Sequence, residues 1–282
     1  MVDGALSALN ADADLQLHLV GPREVADQVR SACADPSRVQ VVPADSAVGM
    51  AESASRARRR GTSVHAGIAV VAAGEAEALV SAGLSGATVT AAVLGLGRIT
   101  GVRRPALAVL LPARDGPVVL LDVGAGVEAS ATLLVQHAAL GAGYARRALH
   151  LSRPRVGLLS VGTEPGKGDR VRRAADAALR ASPLAYVGNV EGYHVPLGGL
   201  ADVVVTDGFT GNVLLKGMEG AVALAGASVP PPAAPRAAVL LGVRGTVVVC
   251  HGAATGPDIA SGIQLAAGLR RDSSHPSLAA TR

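Results

Sequence analysis

The sequence predicts an α/β fold in which helices cover both faces of a largely parallel sheet. Two observations predict it. Short apolar runs alternate with longer segments of helical pattern along most of the chain, which is the order of elements in doubly wound α/β proteins. The apolar runs are also hydrophobic throughout rather than at every second residue, as expected for strands that are buried on both faces.

The apolar runs are the predicted strands. They cover residues 15–20, 39–42, 78–83, 106–112, 118–124, 155–162, 185–190, 201–208 and 246–252. Many of them end in a turn with glycine, which accepts positive φ and lets a ligand approach the backbone closely. In an open parallel sheet ligands bind outside the carboxyl ends of the strands, so we expect a ligand site where these turns gather.

The segments between the strands are the predicted helices. They cover residues 22–34, 64–75, 86–97, 130–148, 169–182, 211–227 and 256–270. The stretch 228–235, "SVPPPAAP", is a predicted loop, because proline fixes φ and removes a backbone donor. Residues 271–282 lack apolar periodicity and are predicted to be disordered. A single domain over residues 1–270 is therefore expected, with a tail beyond it.

Composition narrows the classes of function. Aromatic residues make up 1% of the chain, so binding of nucleic acid by base stacking is not expected. The net charge is +4, and Lys167 and Lys216 are the only lysines among many arginines; this balance suits acidic partners or phosphate-bearing ligands. Cys33 and Cys250 lie far apart, without the spacing of a metal site, as in reduced cytosolic proteins.

The sequence also lacks the pattern of a leader or of a membrane span. The N-terminal region has no basic segment followed by an apolar run, and no stretch of about 18 apolar residues escapes interruption by arginine, proline or glycine. The interpretation is a cytoplasmic protein.

Three predicted strand-to-helix junctions place polar residues among glycines: 161–170 ("VGTEPGKGDR"), 187–192 ("VGNVEG") and 206–220 ("TDGFTGNVLLKGMEG"). In the third, a helix is predicted to begin near Asn212, with Lys216 one turn further on. N–H groups at a helix start bind anions, and both lysines lie beside such turns, so a phosphate site is plausible. Taken alone, each junction also fits an ordinary turn, with Asp207 as a simple helix cap.

A dinucleotide site has weaker support. The stretch 95–101, "GLGRITG", is similar to the glycine pattern of dinucleotide-binding proteins, but it ends a predicted helix instead of opening one. A dehydrogenase of similar layout is therefore a distant alternative.

Taken together, GNVEG at 188–192 and ADVVVTDGFTGNVLLKGMEG at 201–220 resemble the bacterial phosphate acyltransferase family (PlsX). The resemblance extends over residues 3–21, 79–87, 97–112, 120–141, 155–168 and 240–254. It implies a Rossmann-like α/β/α sandwich of the isocitrate dehydrogenase/phosphotransacetylase type and a homodimer. The implied reaction converts long-chain acyl-[acyl-carrier-protein] and inorganic phosphate to acyl phosphate and free carrier protein for phospholipid synthesis. No metal or other cofactor is implied, and the implied location is the cytoplasm, with weak contact to the inner face of the membrane.

This chemistry requires hydrogen-bond donors both for an anionic nucleophile and for the oxyanion that develops on a thioester. The candidate catalytic residues are Lys167, Lys216, Asn189 and His251, where His251 would donate to the leaving thiolate or is an ordinary strand-end histidine. The candidate residues for binding substrate and phosphate are Gly83, Ser85, Gly86, Glu191, Asp207, Gly208, Gly211 and Asn212. A patch for acidic carrier protein is expected at Arg56, Arg58, Arg59, Arg60, Arg103 and Arg104, which otherwise form a solvated face.

The chain also departs from the pattern it resembles. Family members begin with a strand and a D-x-M-G-G-D turn that would precede Met1. Leu84, Gly126 and Gly256 stand where the family has asparagine, and residues 221–239 replace a long helical excursion that carries dimer and membrane contacts. Two hypotheses therefore stand: an active phosphate acyltransferase, or a degenerate, catalytically impaired member that binds carrier protein or phosphate.

Overall fold

A computed structural model describes residues 1–44, 46, 61–225, 237–251 and 254–271. They belong to two compact units: Met1–Thr100 with Arg236–Arg282 (unit 1), and Gly101–Pro235 (unit 2). One domain over residues 1–270 stays a prediction. The predicted loop 228–235 and residues 272–282 of the predicted tail lie outside the described residues, while Arg271 ends a helix.

The elements follow one another in the predicted alternation. The strands are β1 (Leu17–Gly21), β2 (Val39–Pro43), β3 (Ala78–Ser81), β4 (Ala106–Leu111), β5 (Val118–Leu121), β6 (Arg155–Leu159), β7 (Ala185–Val190), β8 (Val203–Val205), β9 (Ala237–Leu241) and β10 (Thr246–Cys250). The helices are α1 (Val2–Ala11), α2 (Arg23–Ala32), α3 (Ser63–Ala72), α4 (Ser85–Gly95), α5 (Ala131–Ala148), α6 (Arg170–Arg180), α7 (His194–Leu197), α8 (Gly208–Ala225) and α9 (Gly256–Arg271), with a 3-10 turn at Pro36–Arg38.

Every predicted strand and helix is present, and within the described residues the prediction missed three elements. The missed elements are α1, α7 and β9. One boundary was also wrong: the third junction becomes helical at Gly208 rather than near Asn212, because the Asp207 side chain caps the helix there. The stretch "GLGRITG" follows α4, as predicted.

Unit 1 contains a parallel pair, β1 with β2, and three strands in the order β3-β10-β9. Strand β10 runs parallel to β3 and antiparallel to β9. Helix α1 lies against α9 because Gly4 has no side chain: a Cβ at this position would stand 2.7 Å from the Cβ of Ile259. Cys33 and Cys250 are buried free thiols, in agreement with the sequence interpretation.

Unit 2 is built on five strands in the order β4-β5-β8-β6-β7. Neighbours from β5 to β7 are parallel, and β4 is antiparallel to β5. All residues of β5 and β8 are buried, as predicted from their unbroken apolar runs. The prediction of a largely parallel sheet is confirmed, with β4–β5 and β9–β10 as antiparallel exceptions.

Helix α5 packs closely on unit 2's sheet. Ser130 caps its start by accepting a hydrogen bond from the Leu133 N–H at 3.2 Å. Gly141 allows the close approach, since a Cβ there would lie 2.7 Å from Val203 Cγ1 and 2.8 Å from Leu121 Cδ2. Within the described ranges, no helix combines the length and the apolar character needed to cross a membrane.

Candidate active site

The carboxyl ends of four neighbouring parallel strands lie at one edge of the sheet in unit 2. In the order β5, β8, β6 and β7, these strands lead into residues 122–130, 206–207, 160–169 and 191–193. Ligands of open α/β sheets bind at this edge. The three glycine-rich junctions predicted from the sequence therefore gather at one place.

Asp122 shapes the loop that follows β5. The residue is 1% exposed. Its Oδ1 accepts hydrogen bonds from the N–H groups of Leu107, Gly124 and Ala125 at 3.0, 3.0 and 2.8 Å, and its Oδ2 accepts one from Gly126 at 2.8 Å. Asp122 lies within the apolar run 118–124, which was predicted as a strand, so nothing in the sequence distinguished this carboxylate.

The start of α8 packs directly on the Asp122 loop. A Cβ at Gly208 would collide with the Gly126 carbonyl, and a Cβ at Gly211 would collide with the Asp122 carbonyl. The Asn212 amide donates to the Val123 carbonyl at 2.9 Å, and the Gly211 N–H donates to the Asp207 carbonyl at 2.9 Å. These contacts give the two glycines and Asn212 a structural role, while their role in substrate binding stays a prediction.

Asp207 caps α8 and pairs with an arginine that sequence reasoning missed. Its carboxylate accepts from the N–H and the hydroxyl of Thr210, both at 2.9 Å, and from Arg172 Nη2 at 2.5 Å. Burial alone would raise the pKa of Asp207, but the hydrogen bonds from Thr210 and Arg172 outweigh it and hold the pKa below its ordinary value. Asp207 is therefore a fixed anion.

Arg172 connects three parts of the site. In addition to Asp207, its guanidinium donates to the Leu159 carbonyl at 3.0 Å and to Asp169 Oδ2 at 2.7 Å. Its side chain is 13% exposed, against 55% for Asp169 and 15% for Asp207. The sequence showed one more arginine on an arginine-rich helix, and nothing in it distinguished Arg172 from its exposed neighbours.

Asn189 and Ser160 place buried polar atoms at the ends of β7 and β6. Asn189 is 4% and Ser160 is 8% exposed. Three of their polar atoms have no hydrogen-bond partner among the residues that the structure describes. These atoms are the Asn189 amide oxygen, the Asn189 amide nitrogen and the Ser160 hydroxyl oxygen. Asn189 is one of the candidate residues predicted from the sequence. Ser160 is not among them, because it lies near the end of the predicted apolar strand 155–162.

Lys167 lies in the glycine-rich turn above β6. Gly166 and Gly168, on either side of it, have φ values of +85° and +93°, a conformation that favours glycine. The Lys167 side chain is exposed, and its Cγ would lie 3.1 Å from a Cβ at Gly162. The turn therefore holds an exposed positive charge at the edge of the sheet where the strands end.

Lys216 is further from the helix start than the sequence indicated. It is exposed on α8, eight residues after Gly208, which is roughly 12 Å along the helix axis. The predicted position, one turn from the start, was wrong because the helix begins earlier. Its proposed contact with phosphate stays a prediction.

Glu191 follows β7 and is half-buried. Its N–H donates to His194 Nδ1 at 3.1 Å. A hydrogen bond with Glu191 raises the pKa of the Tyr193 hydroxyl. Glu191 therefore belongs to a short polar cluster with α7.

The remaining candidate substrate residues lie in unit 1. Gly83 precedes α4, and Ser85 and Gly86 form its first turn, next to a hydrogen bond of 2.9 Å between the hydroxyls of Ser81 and Thr88. His251 is exposed and directly follows β10, whose parallel neighbour is β3. The turn after β3 and His251 therefore follow neighbouring strand ends within unit 1, as the strand pattern predicted.

The predicted carrier-protein patch is described only in part. Arg103 and Arg104 are exposed in unit 2, and the Arg103 N–H donates to the Gln136 side chain at 2.8 Å. The other members, Arg56, Arg58, Arg59 and Arg60, lie outside the described residues.

Comparison with known proteins identifies the family. The family model described as "Fatty acid synthesis protein" matches residues 1–229. A Phosphate acyltransferase of Thermobifida fusca (strain YX) is 42% identical over 301 residues, which cover 95% of this chain and 83% of the relative. One of Heliobacterium modesticaldum (strain ATCC 51547 / Ice1) is 38% identical over 297 residues, 94% of this chain and 88% of the relative. The chain belongs to the phosphate acyltransferase family.

Solved structures show that this family member shares a wider fold. A phosphotransacetylase from Streptococcus pyogenes matches with a TM-score of 0.67 at 16% identity, over 95% of this chain and 91% of that one. The EutD phosphotransacetylase from Staphylococcus aureus matches with a TM-score of 0.63 at 20% identity, over 94% and 89% of the two chains. At these identities the likeness concerns the fold alone, and it confirms the predicted Rossmann-like class.

At one departure from the phosphate acyltransferase pattern, the backbone has open space beside it. Gly126, which stands where asparagine was expected, has space for a side chain: a Cβ would meet Asp122 Oδ2 at 3.8 Å and the Glu128 carbonyl at 3.9 Å. The loop therefore keeps its shape through the Asp122 carboxylate, without a side chain at this position.

Proposed function

We propose that the chain is a phosphate acyltransferase that converts long-chain acyl-[acyl-carrier-protein] and inorganic phosphate to acyl phosphate and free carrier protein. The observation that carries the proposal is the 42% identity to a named Phosphate acyltransferase over 95% of the chain. The comparisons with relatives do not favour the alternative of a degenerate member.

In the proposed reaction a phosphate oxygen attacks the carbonyl carbon of the thioester. The carbonyl oxygen takes up negative charge, the C–S bond then breaks, and the carrier-protein thiolate leaves and takes a proton. Lys167 is assigned to phosphate binding and charge stabilisation, because it lies on the turn whose Gly168 approaches the Ser160 hydroxyl. Lys216 supplies a second positive charge, and His251 is the assigned donor to the thiolate.

The other candidate residues receive supporting roles. Asn189 and Asn212 position phosphate or the thioester oxygen, with backbone N–H groups around Gly208 and Gly211. Glu191 and Asp207 orient these groups. Gly83, Ser85 and Gly86 are assigned to substrate binding in unit 1. Asp207 suits its role, because its ion pair with Arg172 fixes the carboxylate.

Partners and location complete the proposal. The carrier protein is acidic and docks on the arginine patch, of which Arg103 and Arg104 are exposed; the Michaelis constant for acyl carrier protein is then expected to rise with salt. The enzyme acts as a homodimer in the cytoplasm, with weak association to the membrane surface. Light scattering after size-exclusion chromatography tests the dimer, and sedimentation with anionic vesicles tests the membrane contact.

The direct test is release of free carrier-protein thiol from palmitoyl-[acyl-carrier-protein] with and without phosphate. We expect release that requires phosphate, and a loss of about 10²-fold or more in Lys167→Ala and Lys216→Ala, the scale seen when one stabilising donor is removed. Arg170→Ala, an exposed basic residue beside the same turn, is the matched control and is expected to retain activity. Release that ignores phosphate, or none from folded protein, would refute the proposal.

A further inference from the structure

Ser160 and Asn189 bury polar atoms for which the described part of the chain supplies no partner. The atoms are the Ser160 hydroxyl and both the oxygen and the nitrogen of the Asn189 amide. Buried polar groups are nearly always hydrogen-bonded in native proteins. A buried polar group without a partner destabilises the fold, because it loses its hydrogen bonds to water and gains none in return. Two such side chains at adjacent strand ends therefore indicate a ligand-binding function.

The two side chains lie on the same face of the sheet. Strand β6 pairs with β7 so that Leu158 stands opposite Asn189 and Leu159 opposite Val190. The ladder continues one residue further, since the Ser160 N–H donates to the Val190 carbonyl at 2.8 Å. Ser160 is thus two residues beyond Leu158 on the same face, diagonal to Asn189 and within reach of a ligand that touches both.

The glycine-rich turn that carries Lys167 covers Ser160. A Cβ at Gly168 would lie 2.8 Å from the Ser160 hydroxyl oxygen and 2.9 Å from Arg172 Cβ. Gly166 and Gly168 both have positive φ, a conformation that glycine adopts without strain and other residues rarely do. A ligand that reaches Ser160 therefore lies next to the turn that carries Lys167.

Arg172 does not supply the positive charge for such a ligand. Its guanidinium already pairs with the carboxylates of Asp169 and Asp207 and with the Leu159 carbonyl. The pocket floor is consequently neutral, and Lys167 is the cation that the turn brings to it.

We propose that Ser160 and Asn189 form the floor of a pocket that selects hydrogen phosphate over sulfate, with Ser160 as a substrate-binding residue. This inference rests on the proposed function, because it identifies the pocket for its nucleophile. The Asn189 amino group and the Ser160 hydroxyl donate to phosphate oxygens, and the Asn189 carbonyl oxygen accepts the proton of the P–OH group. Sulfate has no such proton at neutral pH, so it leaves an acceptor facing an anionic oxygen.

The test measures binding and turnover on the full chain. Equilibrium dialysis with radiolabelled inorganic phosphate gives its Kd, and competition with sulfate gives the selectivity. In the wild type we expect sulfate to bind roughly 10- to 100-fold more weakly than phosphate, the cost of leaving one buried polar group unsatisfied. Ser160→Ala is expected to raise the phosphate Kd and the KM for phosphate about 10-fold, and Asn189→Asp, which brings a negative charge to the anion, to raise the Kd further.

Unfolding in urea distinguishes a role of Ser160 in phosphate binding from a structural role. Since Ser160→Ala removes a buried hydroxyl without a partner, its urea midpoint should match or exceed that of the wild type while phosphate affinity falls. Ser182→Ala is the control: its hydroxyl donates to the Leu179 carbonyl at 2.7 Å, and its loss should leave phosphate binding unchanged.

The outcomes distinguish the two proposals. Phosphate-dependent turnover in the wild type, together with an unchanged phosphate Kd in Ser160→Ala or equal binding of sulfate, would overturn the pocket and leave the acyltransferase standing. No turnover in the wild type, with selective phosphate binding that both variants weaken, would overturn the reaction and leave the pocket.

Discussion

Breaking the ion pair between Arg172 and Asp207 is expected to destabilise the protein by about 2–4 kcal/mol. Removing one partner of a buried ion pair costs about 3–5 kcal/mol, because the remaining charge is uncompensated. Here the two side chains are 13% and 15% exposed, and Asp207 keeps two hydrogen bonds from Thr210, so the lower estimate applies. At about 2–4 °C per kcal/mol for a chain of this size, Arg172→Met should lower Tm by roughly 4–16 °C.

A double-mutant cycle with Asp207→Asn isolates the pair. We expect a coupling energy of about 1–3 kcal/mol from urea unfolding of the two single variants and the double variant. Arg170→Ala, on the same helix and exposed, should change stability by less than about 0.5 kcal/mol. Additive losses, or a loss below about 0.5 kcal/mol in Arg172→Met, would show that the pair does not hold the helix start.

The pH dependence of the same pair has a definite sign. The pKa of Asp207 is lower in the folded chain than its ordinary value, which is about 3.9 in the unfolded chain. The unfolded chain therefore binds the proton first as the pH falls. The stabilisation by Asp207 is complete above about pH 4, and it is lost as the pH falls through the lower folded value, so the difference between wild type and Asp207→Asn should shrink in acid.

Two further perturbations test the packing. Burial lowers the pKa of His137, partly offset by the Asp122 charge, so stability should fall with a slope of up to about 1.4 kcal/mol per pH unit as the pH drops below about 6.5. His137→Phe should reduce that slope in urea unfolding series at pH 5–8, and an unchanged slope would contradict it. Gly141→Ala should destabilise by about 1–3 kcal/mol, because its Cβ would lie 2.7 Å from Val203 Cγ1. Gly217→Ala, with nothing within 4 Å of its Cβ, should stabilise the protein by up to about 1 kcal/mol. Equal changes in Tm for the two glycine variants would contradict this explanation.

The burial of β5 and β8 shows which part of the fold could be predicted from the sequence. The unbroken apolar runs of β5 and β8 predicted burial on both faces, and both strands are buried along their full length. The same pattern did not reveal every strand. Strand β9, "AAVLL", begins with two alanines and has an antiparallel neighbour, so neither composition nor the alternation of parallel units indicated it.

The sequence predicted that the glycine-rich junctions lie together, but not the contacts within them. The junctions gather at one edge of the sheet because parallel strands bring their carboxyl ends together. Which arginine is buried depends on the α6 register that brings Arg172 to Asp207, 35 residues away. Likewise, the absence of a partner for Ser160 is a property of the folded surroundings, and no local pattern encodes it.

The distribution of charge in unit 2 has a consequence for the proposed reaction. The fixed cation, Arg172, is matched by two carboxylates, so it maintains the loops and adds little net field. The groups facing the assigned phosphate, Ser160 and Asn189, are neutral, and neutral donors lose less hydration on burial than charged ones. The positive charge comes from Lys167, on a flexible stem. During acyl transfer the negative charge moves from phosphate towards the thioester oxygen, and a lysine of this kind can follow it while the neutral floor keeps the phosphate in place.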